Sequence, residues 1–229
     1  MTPSRTGGTY DVIVVGAGPA GLFASHYLSR NSRLKVLLLD KGKQAANRSC
    51  PMGATGECLR CRPCNILSGV GGAGLYSDGK LNFIHVLGKT DLTQFMPEDA
   101  ARELIRETED IFNSFGMDGP VFPTDMDAAR AIRRRALRAG INLLIIRQKH
   151  MGSDRLPGHI GRMADAIREA GVTLHTSEEV RDILVENGRA AGVATNRGEY
   201  KADNVILAPG RVGAEWISEL ARSLGLGLS

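Results

Sequence analysis

Aromatic side chains are scarce in this 229-residue chain, at 5% of residues with a single tryptophan. That scarcity argues against the stacking platforms that hold single-stranded nucleic acid. No apolar run approaches the roughly 20 residues needed to span a bilayer. The opening stretch, Met1 to Thr9, is polar and glycine-bearing and lacks the apolar core of a secretion signal. It is expected to be a flexible lead-in, and a cytoplasmic location follows as the default. Net charge is only +4, and the densest basic run, Arg130 to Arg138, has no aromatic residues among its arginines. Such a run reads as a solvated helix face. Neither nucleic acid nor a membrane is therefore expected as a partner, which leaves a small-molecule substrate or a redox partner. Internal repeats and low-complexity tracts are also missing.

What remains is ordinary globular material, 42% hydrophobic and 24% charged, long enough for one domain or a domain with a lobe. Its most informative stretch runs from Tyr10 to Asp40. Val12-Ile-Val-Val15 is a continuous β-branched run, as expected for a parallel strand buried on both faces. Gly16-Ala-Gly18-Pro19-Ala20-Gly21 follows, then a helix-compatible segment, a second apolar run at Val36 to Leu39, and Asp40. This is a βαβ unit carrying a dinucleotide fingerprint. Gly16 permits the tight turn, Gly18 lets a pyrophosphate approach the backbone, and Gly21 lets the helix pack on the strand. The helix start offers free N–H groups to phosphate. Asp40 is placed to accept ribose hydroxyls and would repel a 2′-phosphate, although Lys41 beside it weakens that exclusion.

Beyond Asp40 an NAD-binding domain would continue with another helix and strand, but residues 42–80 show no sustained period. A loop that long is usually functional. Regularity returns at Pro97, with an amphipathic helix ended by Gly116 and a second helix near Asp127 to Ala139. Ile141 to Ile146 reads as a strand, and a third helix is expected from His159, with Gly171 just past its end. A strand at Val172 to His175 precedes a hairpin, Val180 to Val185 and Ala190 to Thr195, turning at Asn187-Gly188. A short run at Tyr200 to Ala202 completes an antiparallel meander. A separate apolar strand, Val205 to Leu207, leads into Ala208-Pro209-Gly210-Arg211, and a final helix lies near Ala214 to Leu224.

This order resembles the FAD domain of the glutathione-reductase-like flavoproteins. The fingerprint Val15-Gly-Ala-Gly-Pro-Ala-Gly-Leu22, the acid Asp40, and a closing strand ending Ala208-Pro209-Gly210 carry the likeness. Pro209 departs from the family's threonine and removes a hydroxyl and an N–H. The resemblance implies an α/β, Rossmann-like FAD-binding domain over 10–229, with a parallel sheet, flanking helices and a three-stranded meander. Insertions are expected at 42–80 and 97–140. It further implies cofactor contacts at Gly16, Gly18, Pro19, Ala20, Gly21, Asp40 and Lys41, at Val180 where the meander begins, and at Pro209, Gly210 and Arg211. A narrower likeness joins the run from Cys50 to Leu81, His150-Met-Gly-Ser-Asp-Arg155 and Val205 to Trp216. These segments are similar to a poorly characterised family of bacterial FAD-dependent dehydrogenases, whose members continue into a substrate lobe. The chain is therefore expected to be the N-terminal portion of such an oxidoreductase, lacking that lobe. The alternatives are an FAD-binding module without turnover, an iron–sulfur electron carrier, and an NAD-dependent dehydrogenase.

Two further constellations carry possible chemistry. The glycine-dense loop Gly69 to Gly79 reads as a second wall of the cofactor site, through Gly71, Gly72, Gly74, Ser77 and Asp78. Lys80 could place a cation beside a flavin or merely pair with Asp78, and His150 is a second weak catalytic candidate. Cys50, Cys58, Cys61 and Cys64 have a spacing suited to an iron–sulfur cluster, or less well to zinc. A redox dithiol and inert thiols stand as the other readings. His26, His85 and His175 read as structural, and Trp216 as helix packing.

Overall fold

The computed structural model describes residues 6–152 and 154–227. In chain order, β1 (Thr6–Val15), α1 (Pro19–Asn31) and β2 (Val36–Asp40) come first. A short helix α2 (Met52–Thr55), three short strands β3 (Lys80–Asn82), β4 (Val86–Leu87) and β5 (Thr90–Asp91), and the helices α3 (Glu98–Ser114) and α4 (Met126–Arg138) follow. Then come β6 (Gln148–His150), α5 (Leu156–Glu169) and β7 (Thr173–Thr176). The strands β8 (Val180–Glu186), β9 (Arg189–Thr195) and β10 (Glu199–Leu207) and the helix α6 (Ala214–Ser223) close the chain. It divides into two compact units, one formed by residues 1–76 with 160–229 and the other by residues 77–159.

The first unit is built on a six-stranded sheet in the order β7-β2-β1-β10-β9-β8. β7, β2, β1 and β10 run parallel, while β9 and β8 attach antiparallel. Parallel neighbours need a crossover, and α1 supplies it between β1 and β2. The apolar runs read from sequence form the core, with Ile13, Val14, Leu37, Leu38 and Leu39 fully buried. Asn187 and Gly188 both adopt positive φ, at 51° and 75°, as a tight hairpin turn requires.

Three expectations are corrected here. The meander run at Tyr200 to Ala202 and the strand Val205 to Leu207 are one strand, β10. Its continuity comes from β1, which pairs with it in parallel from Thr6↔Glu199 to Val15↔Leu207. For the same reason residues 6–9 of the expected flexible lead-in are strand, while residues 1–5 lie outside the described residues. Ile141 to Ile146 forms no strand. No partner segment pairs with it among the described residues, and Ile141 and Leu144 stay exposed.

The second unit holds α3, α4, the antiparallel pair β3–β6 and the hairpin β4–β5. The expected helical insertion at 97–140 falls within it. Glu109, nearly buried on α3, pairs with Lys149 at 3.2 Å and with Arg147 at 3.3 Å. His159 is buried and its Nδ1 lies 3.0 Å from the Phe115 carbonyl. No helix among the described residues is long and apolar enough to cross a membrane.

Candidate cofactor site

The first unit contains a cavity of about 830 Å³, a size suited to a large small-molecule ligand. Its floor is the turn from β1 into α1. Gly16 takes φ +103°, and a Cβ there would lie 2.3 Å from the Ala208 carbonyl oxygen. A Cβ on Gly21 would lie 1.8 Å from the Gly16 oxygen, so the helix packs against the turn only because that atom is missing. Gly18 differs, since the nearest protein atom to an added Cβ is Gly72 Cα at 3.8 Å. The space beside Gly18 is left open by the protein. Pro19, first in the helix, forgoes an N–H that would have no helical partner there.

Asp40 ends β2 and is buried, with both oxygens engaged by main chain. Oδ2 accepts from the Ala17 N–H at 2.8 Å, and Oδ1 accepts from the Gly42 N–H at 2.7 Å. The carboxylate therefore ties the fingerprint turn to the turn after β2. The glycine loop lies across both, through Gly71 N–H to the Ala17 carbonyl at 2.8 Å and Val70 N–H to the Lys43 carbonyl at 3.0 Å.

Arg48, which no sequence motif marks, organises that loop. Its buried guanidinium donates to the carbonyls of Asn65, Ile66, Val70 and Gly72 at 2.7–2.9 Å. It also lies 5.1 Å from the centre of the Tyr76 ring, whose hydroxyl donates to the Arg48 carbonyl. Burial pulls the guanidinium's pKa below its usual value, opposed by Tyr76, Asp40 and Cys64.

This arrangement gives no support to the metal or cluster reading of Cys50, Cys58, Cys61 and Cys64. All four are free thiols, and no group of three or more His, Cys, Asp or Glu among the described residues is arranged to hold a metal. Helix α2 intervenes between Cys50 and Cys58, and Cys58 is exposed. The loop is instead gathered around a cation bonded to main-chain oxygens, which makes no demand on thiol positions.

Of the expected cofactor contacts, Gly16, Gly18, Pro19, Asp40, Lys41, Gly72, Gly74, Val180, Pro209, Gly210 and Arg211 line the cavity. Ala20, Gly21 and Gly71 do not, the last two being taken up by packing inside the turn and loop. Ser77, Asp78, Lys80 and His150 belong to the second unit and are not lining residues. There Lys80 pairs with Asp78 at 2.8 Å and stands opposite His150 in the β3–β6 ladder. The hydrogen bond from Lys80 holds the Asp78 carboxyl below its ordinary pKa.

Ser68, Glu178 and Trp216 also line the cavity and carry no signature in the sequence. Ser68 is the most telling, because its Oγ is buried and has no hydrogen-bond partner. Glu178 is almost fully buried, accepting from Thr195 Oγ1 at 2.8 Å and lying 3.2 Å from His175 Nδ1. An open approach at Gly18 with a helix start beneath it is what the pyrophosphate of a bound dinucleotide would use. FAD fits these residues.

Residues 10–65 match the family described as pyridine nucleotide-disulphide oxidoreductase. A glycine oxidase of Pseudomonas aeruginosa is 46% identical over 59 residues, 26% of this chain and 15% of the relative. Among solved structures, glycine oxidase from Geobacillus kaustophilus superposes with a TM-score of 0.55 at 20% identity, over 96% of this chain and 60% of that one. L-Amino acid deaminase from Proteus vulgaris, with its specific insertion deleted, gives 0.53 at 16% identity, over 99% of this chain and 59% of that one. The chain thus spans about three-fifths of the solved chains and far less of the curated relative. Its fold is α/β and Rossmann-like, as in these solved structures. The likeness in sequence is confined to its N-terminal segment.

Proposed function

We propose that the first unit binds FAD and that the protein is an FAD-dependent oxidoreductase. One observation carries the reading: the cavity is open beside Gly18 at the start of α1, where no protein atom fills the space a Cβ would take. The start of α1 would hold the pyrophosphate, and the Asp40 end of the cavity the adenosine. When bound, the flavin supplies hydride or electron transfer. The chain's own residues bind and orient. Asp40 fixes the fingerprint turn through Ala17 N–H, and Arg48 fixes the glycine loop through its carbonyls. The finer kinship, with bacterial FAD-dependent dehydrogenases, is supported by the Cys50–Leu81 run and the Val205–Trp216 run. Titration of the apoprotein with FAD, FMN and NAD tests the reading. FAD should bind with quenched flavin emission and FMN only weakly. Tighter binding of NAD, or no binding of FAD, would overturn it.

A further inference from the structure

Trp216 is the chain's single tryptophan. It lies in the first turns of α6, and its ring has two kinds of surroundings. One side packs against the core cluster that includes Val180, Ile183 and Leu220. The residue also lines the cofactor cavity. The indole Nε1–H donates to the Arg181 carbonyl at 3.0 Å, which fixes the ring next to the residue where β8 enters the cavity. The preceding turn is also tightly seated, because a Cβ on Gly213 would lie 2.5 Å from Pro209 Cβ. The ring is therefore held in one orientation by a hydrogen bond and by packing.

Its neighbours define which part of a ligand it would meet. Glu178 N–H donates to the Asp40 carbonyl at 3.0 Å, so the end of β2 and the start of β8 form one continuous wall. Trp216 is bonded to that wall one residue beyond Val180. With the pyrophosphate at Gly18 and the ribose at Asp40, the base is the next group along. A purine presents a flat π-face, and indole is the largest complementary face a side chain offers. We propose that Trp216 is the stacking surface for the adenine of the bound dinucleotide and sets the preference for an adenine-bearing ligand. This rests on the FAD reading of the cavity.

Because the chain has one tryptophan, its emission reports this position alone. The apoprotein is titrated with ADP, which cannot accept energy from indole, and with inorganic pyrophosphate as a base-free control. Saturable quenching by ADP and none by pyrophosphate is the expected result. Trp216→Phe and Trp216→Leu both lose the bond to the Arg181 carbonyl, but only Phe keeps an aromatic face. ADP affinity should therefore fall at least about tenfold, or 1.4 kcal/mol, further in the Leu variant than in the Phe variant. Thermal melts confirm that both variants are folded. ADP binding that leaves the emission unchanged, or equal ADP affinity in the Phe and Leu variants, overturns the assignment while FAD binding stands. A wild-type apoprotein that binds neither ADP nor FAD overturns the FAD reading, and this assignment with it.

Discussion

The Asp40 carboxylate accepts the Ala17 N–H at 2.8 Å, so the acid that ends the second strand holds the fingerprint turn in place. Its other oxygen holds Gly42. The carboxylate thus has a task in the protein before any ribose arrives. Asp40→Ala should destabilise the apoprotein by about 1.5–3 kcal/mol, the worth of a hydrogen bond to a charged group, besides weakening FAD retention. Chemical unfolding of the apoprotein separates the two effects. Unchanged apoprotein stability with lost FAD binding would make Asp40 a ribose ligand only.

Arg48 should prove indispensable to the loop between β2 and β3. Removing its guanidinium leaves several carbonyls without their donor in a buried setting. Arg48→Ala should cost about 3 kcal/mol or more, since each buried acceptor left unpaired costs about 1–3 kcal/mol. Arg48→Lys should rescue little, because an ammonium cannot serve the same fork of carbonyls. Limited proteolysis within residues 48–76 is the direct measure. A loop as resistant in the Ala variant as in the wild type would remove Arg48 from this role.

The contrast between these two residues shows what the sequence could reveal. The βαβ unit was legible because its determinants are local: a β-branched run, three glycines and an acid in register. The hairpin at Asn187-Gly188 was legible for the same reason. The continuity of β10 was not, because a long parallel partner, starting at Thr6, decides it. The spacing of the cysteine loop advertises thiols, whereas an arginine bonded to backbone oxygens gathers it. Carbonyls carry no side-chain signature. Trp216 reads as packing and does pack against the core, while its place in the cavity wall leaves no mark in the sequence. Ile141 to Ile146 has strand chemistry without a strand partner, and pairing rather than propensity decides a strand.

Gly18 and Gly21 should separate ligand space from protein space. Gly18 has extended backbone angles and open room for a Cβ, so Gly18→Val should leave the apoprotein's melting temperature nearly unchanged. FAD affinity should nevertheless fall at least about tenfold, which is 1.4 kcal/mol. Gly21→Ala should do the reverse, since its Cβ would meet the Gly16 oxygen at 1.8 Å. Overpacking of that kind costs about 1–3 kcal/mol or more in the apoprotein itself. Calorimetric titration with FAD and apoprotein melts distinguish them. If Gly18→Val binds FAD as wild type does, the pyrophosphate does not pass Gly18.

Tyr200 should make the stability of the fold depend on pH in the alkaline range. Its pKa is pushed up to about 12, first by burial and then by the nearby Glu178 carboxylate. The phenol lies 3.3 Å from His175 Nδ1, and its ring stacks edge-on to that imidazole and tilted to Tyr10. In the unfolded chain a tyrosine ionises near pH 10, whereas Tyr200 in the fold stays neutral to a higher pH. The unfolded chain thus releases its proton first, and stability falls wherever it binds fewer protons than the fold. The contribution of Tyr200 is whole below about pH 10 and is lost as pH rises toward about 12. Tyr200→Phe keeps the ring and removes the titration. Its melting temperature should decline less steeply than that of the wild type over that interval, with parallel curves at lower pH. Equal slopes in the two proteins between pH 10 and 12 would show that Tyr200 ionises in the fold as it does in the unfolded chain.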